Sequence, residues 1–120
     1  FMARTRLAAG DASPIHVHAK EDEIFLLLDG SAVFWFGEER YEVERGGVVY
    51  LPRDVPHAYR ITADADLLTI CTPAGAEKFF RTAGHDLATP KPSNWALNPA
   101  AMAAAAASTG VQIVGPPRTA

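Results

Sequence analysis

The sequence predicts an all-β domain, a sandwich or barrel with a short helical appendage at its carboxyl-terminal end. Three observations carry that expectation. Up to about residue 72 the chain is crowded with Val, Ile, Phe, Tyr and Thr in short runs. Turn-forming residues interrupt these runs about every eight to twelve positions, the spacing of a sandwich or barrel rather than of alternating strands and helices. After Pro73 the composition shifts toward alanine, and helix signals replace strand signals. With 120 residues and 12.9 kDa the chain fits one domain, residues 1–120, with a barrel over about 2–72 and helices and tail over about 73–120.

The strands are expected near Met2–Ala8, Ile15–His18, Glu23–Leu28, Ala32–Phe36, Glu39–Val43, Val48–Leu51, His57–Ile61 and Asp66–Thr72. The breaks between them are Gly10-Asp11, Lys20–Asp22, Asp29-Gly30, Gly37-Glu38, Gly46-Gly47, Arg53-Asp54 and Ala63-Asp64. Asp29-Gly30 reads as a hairpin turn, because glycine takes the positive φ of a tight turn without steric cost. Ala74–Ala83 reads as a helix in which Ala76, Phe79, Phe80 and Ala83 form one face able to dock on the sheet. Gly84 stops it. Asn98-Pro99 is a helix start, with Asn as cap and Pro at the first helical position. The alanine run Ala100–Ala107 follows as a helix ended by Gly110, and Val111–Val114 adds a last extended segment.

Composition excludes several classes. Eleven Lys and Arg against fourteen Asp and Glu give a net charge of −3, with no basic face for nucleic acid. The single cysteine, Cys71, excludes an internal disulfide framework and a Cys-rich zinc module; it reads as a small buried hydrophobe. No apolar run approaches the roughly 18 residues needed to span a bilayer. The start, Phe1-Met2, lacks the basic and apolar pattern of a signal peptide. The expected setting is cytoplasmic, and the opening residues resemble an internal stretch of a longer chain.

Three of the four histidines fall in the strand region. His16 and His18 are one residue apart, so a strand presents both on one face. Glu23 follows across the polar turn Ala19–Asp22, where a hairpin brings it back beside the pair. His57 opens a later strand after Pro56. Singly, each has an ordinary reading: a His pair on a strand is as often surface or satisfied core, a Glu in an acidic turn is usually solvated, and a His after Pro is unremarkable. Together, three imidazoles and one carboxylate suit a divalent transition metal (Fe, Mn, Ni, Cu or Zn).

Their spacing resembles a known family. Gly10, five residues, His16-x-His18, four residues, Glu23, six residues and Gly30 match the first cupin motif at every position. Gly46, five residues, Pro52, then four residues to His57 resemble the second. The chain is therefore similar to small single-domain cupins from Met2 to Thr72. The stretches Thr72–Arg81 and Gly110–Pro117 are similar, more weakly, to bacterial cupin-2 proteins described as quercetin-dioxygenase-like. Two positions depart from the second motif. Asp54 stands where the family has glycine, and Asp tolerates a left-handed turn better than most residues. Ile61 stands where the family has asparagine, a position outside the metal ligands. The resemblance implies a double-stranded β-helix, or jelly-roll, barrel with His16, His18, Glu23 and His57 as metal ligands.

Strand parity predicts what lines the barrel. Phe25 and Leu27 share a face with Glu23, and Tyr59 and Ile61 share one with His57, which makes these four the candidate substrate pocket. Between Val33/Trp35 and Phe34/Phe36 parity does not choose, since both sets are apolar. Tyr59 offers a hydroxyl to a ligand, and Glu23 and Tyr59 are the candidate catalytic groups. Arg53 and Arg60 read as solvated, and His85 as a solvent-facing loop residue.

An apolar pocket over a metal favours a small aromatic or enolic substrate. The resemblance implies a metal-dependent dioxygenase; a non-redox cyclase, isomerase or lyase using the metal as a Lewis acid, or a non-catalytic ligand-binding module, are the alternatives. A homodimer is expected, because Val33-Phe34-Trp35-Phe36 has bulky residues on both parities and Met2–Ala8 is a strand that a neighbour's sheet can borrow. The competing expectation is that the tail covers the extra face within one chain.

Overall fold

The computed structural model describes residues 1–96 and 98–119. Its elements in chain order are β1 (Met2–Leu7), β2 (Ile15–His18), β3 (Asp22–Phe36), β4 (Glu39–Glu44), β5 (Val48–Leu51), β6 (His57–Thr72), α1 (Glu77–Ala83), α2 (Pro99–Ser108) and β7 (Val111–Gly115). All strand pairs are antiparallel. The path through the sheet is β4-β3-β6-β2-β7, with β1 on β6 and β5 on β3. This is the mostly antiparallel jelly roll expected from the sequence.

Two pairs of expected strands are single long ones. Asp29-Gly30 is no hairpin turn: β3 runs through it for 15 residues, and β6 runs for 16 through Ala63-Asp64. The two strands pair from Asp22↔Thr72 to Phe36↔His57, with register shifts between Leu27 and Ala32. Gly30 (φ +80°) sits where the strands bend, and a Cβ there would lie 2.2 Å from the Asp64 carbonyl oxygen. Glycine is required by both the backbone angle and the close approach of β6.

The irregularity also settles which residues face inward. Phe25 and Leu27 are inward at odd positions, but beyond the bend Ala32 and Phe34 are inward at even ones. The interior cluster comprises Phe25, Leu27, Ala32, Phe34, Val49, Leu51, Ile61, Ala65 and Leu67. Val33 and Trp35 face outward yet are buried, with Ala58, under Ile15; Arg118 of the tail lies 5.8 Å from the Trp35 ring. One chain therefore covers this face by itself, and the excess of bulky residues in Val33–Phe36 is not a reason for a second copy. Within the chain β1 pairs with β6 from Met2↔Ile70 to Leu7↔Ala65.

The carboxyl-terminal segment is more than an appendage. The Asn98 side chain accepts hydrogen bonds from the amides of Ala100 and Ala101, capping α2 as expected, and β7 then joins the sheet beside β2. The expected helix from Ala74 is shorter, starting at Glu77. Its expected docking face is only partly covered, with Ala76 buried, Phe79 and Ala83 half-buried and Phe80 57% exposed. The shift follows from Pro73 and Gly75, whose φ of +148° is outside the helical range. Among the described residues no helix is long and apolar enough to cross a membrane.

Candidate metal centre

The histidine strand is held on both sides. His16 lies directly opposite His57 in the β2–β6 pair, and β7 pairs with β2 on the other edge, with His16↔Ile113 and His18↔Val111. Directly paired residues in an antiparallel ladder have Cβ atoms about 5 Å apart, which brings the first two imidazoles together. Upstream, Gly10 donates to the Ile61 carbonyl and Ser13 to the Tyr59 carbonyl, so the approach to β2 runs along the start of β6. Asp54 adopts the left-handed conformation (φ 67°), in the place where the family motif has glycine, and its amide donates to the His18 carbonyl at 2.8 Å. The turn survives the substitution and ties β2 to the loop that delivers His57.

Glu23 arrives by another route than the sequence suggests. Ala19–Asp22 makes no hairpin, because β2 and β3 are not paired among the described residues. Glu23 instead sits between Leu51 of β5 and Cys71 of β6, and it reaches the histidines across the barrel. The bend at Gly30 allows this by curling β3 and β6 around the interior. Asp22 anchors the strand start, its carboxylate accepting from Tyr50 Oη (3.0 Å), Arg53 N (2.9 Å) and Arg53 Nε (3.1 Å). These bonds, those of Arg53 first, hold the Asp22 carboxyl down to about 2. Arg53 is thus paired and not simply solvated.

His16, His18, Glu23 and His57 each offer one ligand-type atom, and these atoms lie within 4.8 Å of one another. His18, Glu23 and His57 are buried, and His16 is half-buried. Metal–nitrogen bonds of about 2.0–2.1 Å put opposite ligands roughly 4 Å apart, so closing on a cation needs a contraction below about 1 Å. The ring nitrogens are oriented for it. His16 Nδ1 is 2.8 Å from the Pro14 carbonyl and His57 Nδ1 is 3.3 Å from the Val55 carbonyl. A carbonyl only accepts, so in the His16 bond Nδ1 carries the proton and Nε2 is left with a lone pair, while His57 meets an acceptor on each side, the Val55 carbonyl at Nδ1 and the Glu23 carboxylate at Nε2. Glu23 Oε2 lies 3.2 Å from His57 Nε2 and 3.3 Å from His18 Nε2. His18 Nε2 is buried and has no hydrogen-bond partner among the described residues, since its approach to Glu23 lacks the required angle. A buried polar atom beside a carboxylate and two imidazoles, yet without a bond, is what a cation site offers.

The electrostatics agree. Burial disfavours the Glu23 carboxylate, but His18 and His57 beside it outweigh burial and bring its pKa to about 2. Burial, and next the neighbouring His57, pushes His16 down to about 4, so its imidazole is neutral at pH 7 and free to coordinate. Burial also works against the charged form of His18, but the nearby Glu23 carboxylate, and then Glu21, more than offset it and its pKa is raised.

The other candidate residues are placed as follows. Tyr59 is half-buried, its ring 5.9 Å from Phe25 and 6.1 Å from Phe34, and burial pushes its hydroxyl up to about 12. It is a donor at neutral pH and not a base. Phe25 is 5% exposed, while Leu27 (0%) and Ile61 (1%) are enclosed by the packed core. A surface cleft of about 460 Å³ between β4 and β5, lined by Phe36, Tyr41, Val43 and Val48–Leu51 among others, includes none of the four ligand-type residues. His85 bonds the Thr89 carbonyl through Nε2 and packs on Trp95. Sequence reasoning missed two neighbours of the cluster. Cys71 Sγ is 3.9 Å from Glu23 Oε1, a contact legible only once Glu23 and Cys71 are known to be cross-strand partners. Glu21, set in an acidic turn that reads as solvated, is 3% exposed with Oε2 3.5 Å from His18 Nδ1.

Fold and site together define a small jelly-roll barrel with a metal-type His/Glu cluster in its interior. The cupin domain family Cupin_2 matches residues 3–73, and the chain belongs to that family. Over 70 residues it is 26% identical to an uncharacterized protein of Methanocaldococcus jannaschii, covering 58% of this chain and 56% of that one. Over 66 residues it is 36% identical to quercetin 2,3-dioxygenase of Bacillus subtilis, covering 55% of this chain and 20% of that enzyme. The chain thus spans about half the length of the first relative and a fifth of the second. Among solved structures, KdgF from Halomonas sp. superimposes with a TM-score of 0.58 at 16% identity, over 61% of this chain and 68% of that one, a likeness of fold alone.

Proposed function

We propose that the protein is a metal-dependent cupin enzyme, a dioxygenase acting on a small aromatic or enolic substrate. The observation that carries this is the convergence of three imidazoles and one carboxylate, with His18 Nε2 buried and unbonded at its centre. The 36% identity to quercetin 2,3-dioxygenase supports dioxygen chemistry over the other classes the fold hosts. His16, His18, Glu23 and His57 would hold the metal. A metal held there would supply a redox-active Lewis acid for oxygen chemistry on an enolic substrate. The chain's own part is to bind and to manage protons. Phe25 and Tyr59 present an apolar wall, Tyr59 donates a hydrogen bond through its hydroxyl, and the ionised Glu23 offers Oε2 as the acceptor for a substrate proton. The experiment is metal analysis of protein purified without added metal, followed by oxygen-uptake assays with flavonols and other enolic aromatics. Iron, copper, nickel or manganese with substrate-dependent oxygen uptake is the expected result. Zinc as the native metal, without oxygen uptake, would move the protein to the Lewis-acid class.

We propose further that the protein pairs with a second copy through the outer face of β1, β6, β3 and β5. Register places Met2, Ile70, Ile24 and Tyr50 in one row across that face, and Leu68, Leu26 and Val48 in the next. Met2, Val48 and Tyr50 are 65%, 63% and 54% exposed. The rim carries both signs, Arg4 on Asp66 at one side and Arg53 on Asp22 at the other, so two copies meet without net like-charge repulsion. Light scattering is expected to give twice 12.9 kDa, and Leu26→Lys to halve it. A monomer mass for the unaltered protein at micromolar concentration contradicts the pairing.

A further inference from the structure

We propose that Glu21 is a positioning residue whose buried carboxylate holds the Nδ1 proton of His18 and thereby keeps His18 Nε2 turned to the interior of the cluster, on the side of Glu23. The inference deepens the metal-centre reading and rests on it. Each of the three histidines needs an acceptor at Nδ1 if Nε2 is to offer a lone pair. His16 and His57 take backbone carbonyls, those of Pro14 and Val55. Among the described residues no carbonyl bonds His18 Nδ1, which faces a side chain instead, Glu21 Oε2 at 3.5 Å. Both atoms are buried and neither has another hydrogen-bond partner among the described residues. A carboxylate that is 3% exposed carries a large desolvation cost unless a donor meets it, and the donor within reach is His18 Nδ1.

Glu21 is not a fifth ligand. The two nitrogens of an imidazole point in divergent directions, and Glu21 lies on the Nδ1 side while Glu23 lies on the Nε2 side. The carboxylate is also confined from behind. A Cβ on Gly75 would come within 3.3 Å of Glu21 Oε1, so the segment after β6 closes directly over it. At 3.5 Å the pair is a few tenths of an ångström longer than a formed hydrogen bond, and a pull on Nε2 from a cation would shorten it. Of the three imidazoles only His18 has a charged partner at Nδ1, which makes it the most basic donor of the set.

The test separates the role of Glu21 from the metal reading. In metal-free protein at alkaline pH, long-range ¹H–¹⁵N spectra read the tautomer of each histidine. His18 is expected in the Nδ1–H form, with Nε2–H growing in Glu21→Ala while His16 keeps its tautomer. In a parallel titration Co²⁺ is the probe, with competition by a chelator. Glu21→Gln, which keeps the shape and one acceptor oxygen, is expected to raise the Co²⁺ dissociation constant about 10-fold, and Glu21→Ala toward 100-fold, with a shifted visible absorption band. An Nε2–H tautomer for His18 in the unaltered protein overturns the proposal. So does an unchanged tautomer and Co²⁺ affinity in Glu21→Gln and Glu21→Ala alike. If the unaltered protein shows the Nδ1–H form yet binds no Co²⁺, the metal reading falls, and the proposal with it.

Discussion

Replacing His57 by alanine is expected to lower transition-metal affinity at least about 100-fold while leaving the barrel folded. Groups that hydrogen-bond to a metal's ligands already carry about 10–100-fold each, and a ligand carries more. His57 is the residue the other three converge on. It lies opposite His16 in the β2–β6 pair, its ring is 5.3 Å from that of His18 and nearly parallel to it, and its Nε2 is 3.2 Å from Glu23 Oε2. The fold survives because the barrel interior is built from Phe25, Leu27, Phe34, Leu51, Ile61 and Leu67, none of which depends on the metal. In this it differs from small zinc modules, whose folding energy is the binding energy. Glu23→Gln should be milder, since the amide oxygen still faces the cluster but brings no charge. Native mass spectrometry and far-ultraviolet circular dichroism check the pair of outcomes. Full metal content in His57→Ala contradicts the ligand assignment, and loss of the β spectrum contradicts the independence of the core.

Gly30→Ala is expected to be the most damaging single-methyl change in the barrel, costing at least about 3 kcal/mol. Two costs add. At φ +80° an L-residue loses about 1–2 kcal/mol against the left-handed conformation. The new Cβ would also stand 2.2 Å from the Asp64 carbonyl oxygen and 2.7 Å from Ala65 Cα, both backbone atoms that cannot swing away. Gly10 is a control, because its φ is also positive (+96°) but nothing lies within 4 Å of a Cβ built on it. Gly10→Ala should therefore show the conformational cost alone. Thermal melts of the two variants test the argument: a drop for Gly30→Ala no larger than that for Gly10→Ala means that the close approach of β3 and β6 is not what holds the bend.

The strands, their approximate limits and the turn positions were legible because their signals are local. Gly37-Glu38, Gly46-Gly47 and Arg53-Asp54 punctuate runs of β-forming residues, and Asn98-Pro99 caps and starts a helix by chemistry confined to four residues. The bend at Asp29-Gly30 was misread for the same reason. A glycine at positive φ serves a hairpin and a bulged, continuous strand equally well, and only the pairing of β3 with β6 along both halves distinguishes them. Once the bend is inside a strand, parity flips across it, so Phe34 and not Trp35 shares the interior with Phe25.

Residue types and spacing, read through the resemblance to the cupin motifs, named His16, His18, Glu23 and His57, because a His pair on one strand face and two further ligand-type residues at the family's intervals are properties of the linear chain. The sequence by itself therefore determined the class of barrel and the four residues that meet in it. Tertiary structure decided how they meet. Glu23 crosses the barrel on a curled strand and does not return through a hairpin, β7 from the far end of the chain flanks the histidine strand, and the tail covers Trp35. It also decided that Glu21 is buried against His18 Nδ1 while Asp22, one residue on, faces Arg53 and Tyr50. Burial and partners at that turn are set by what β5, β6 and the segment around Gly75 place over it, and none of those neighbours is near in sequence.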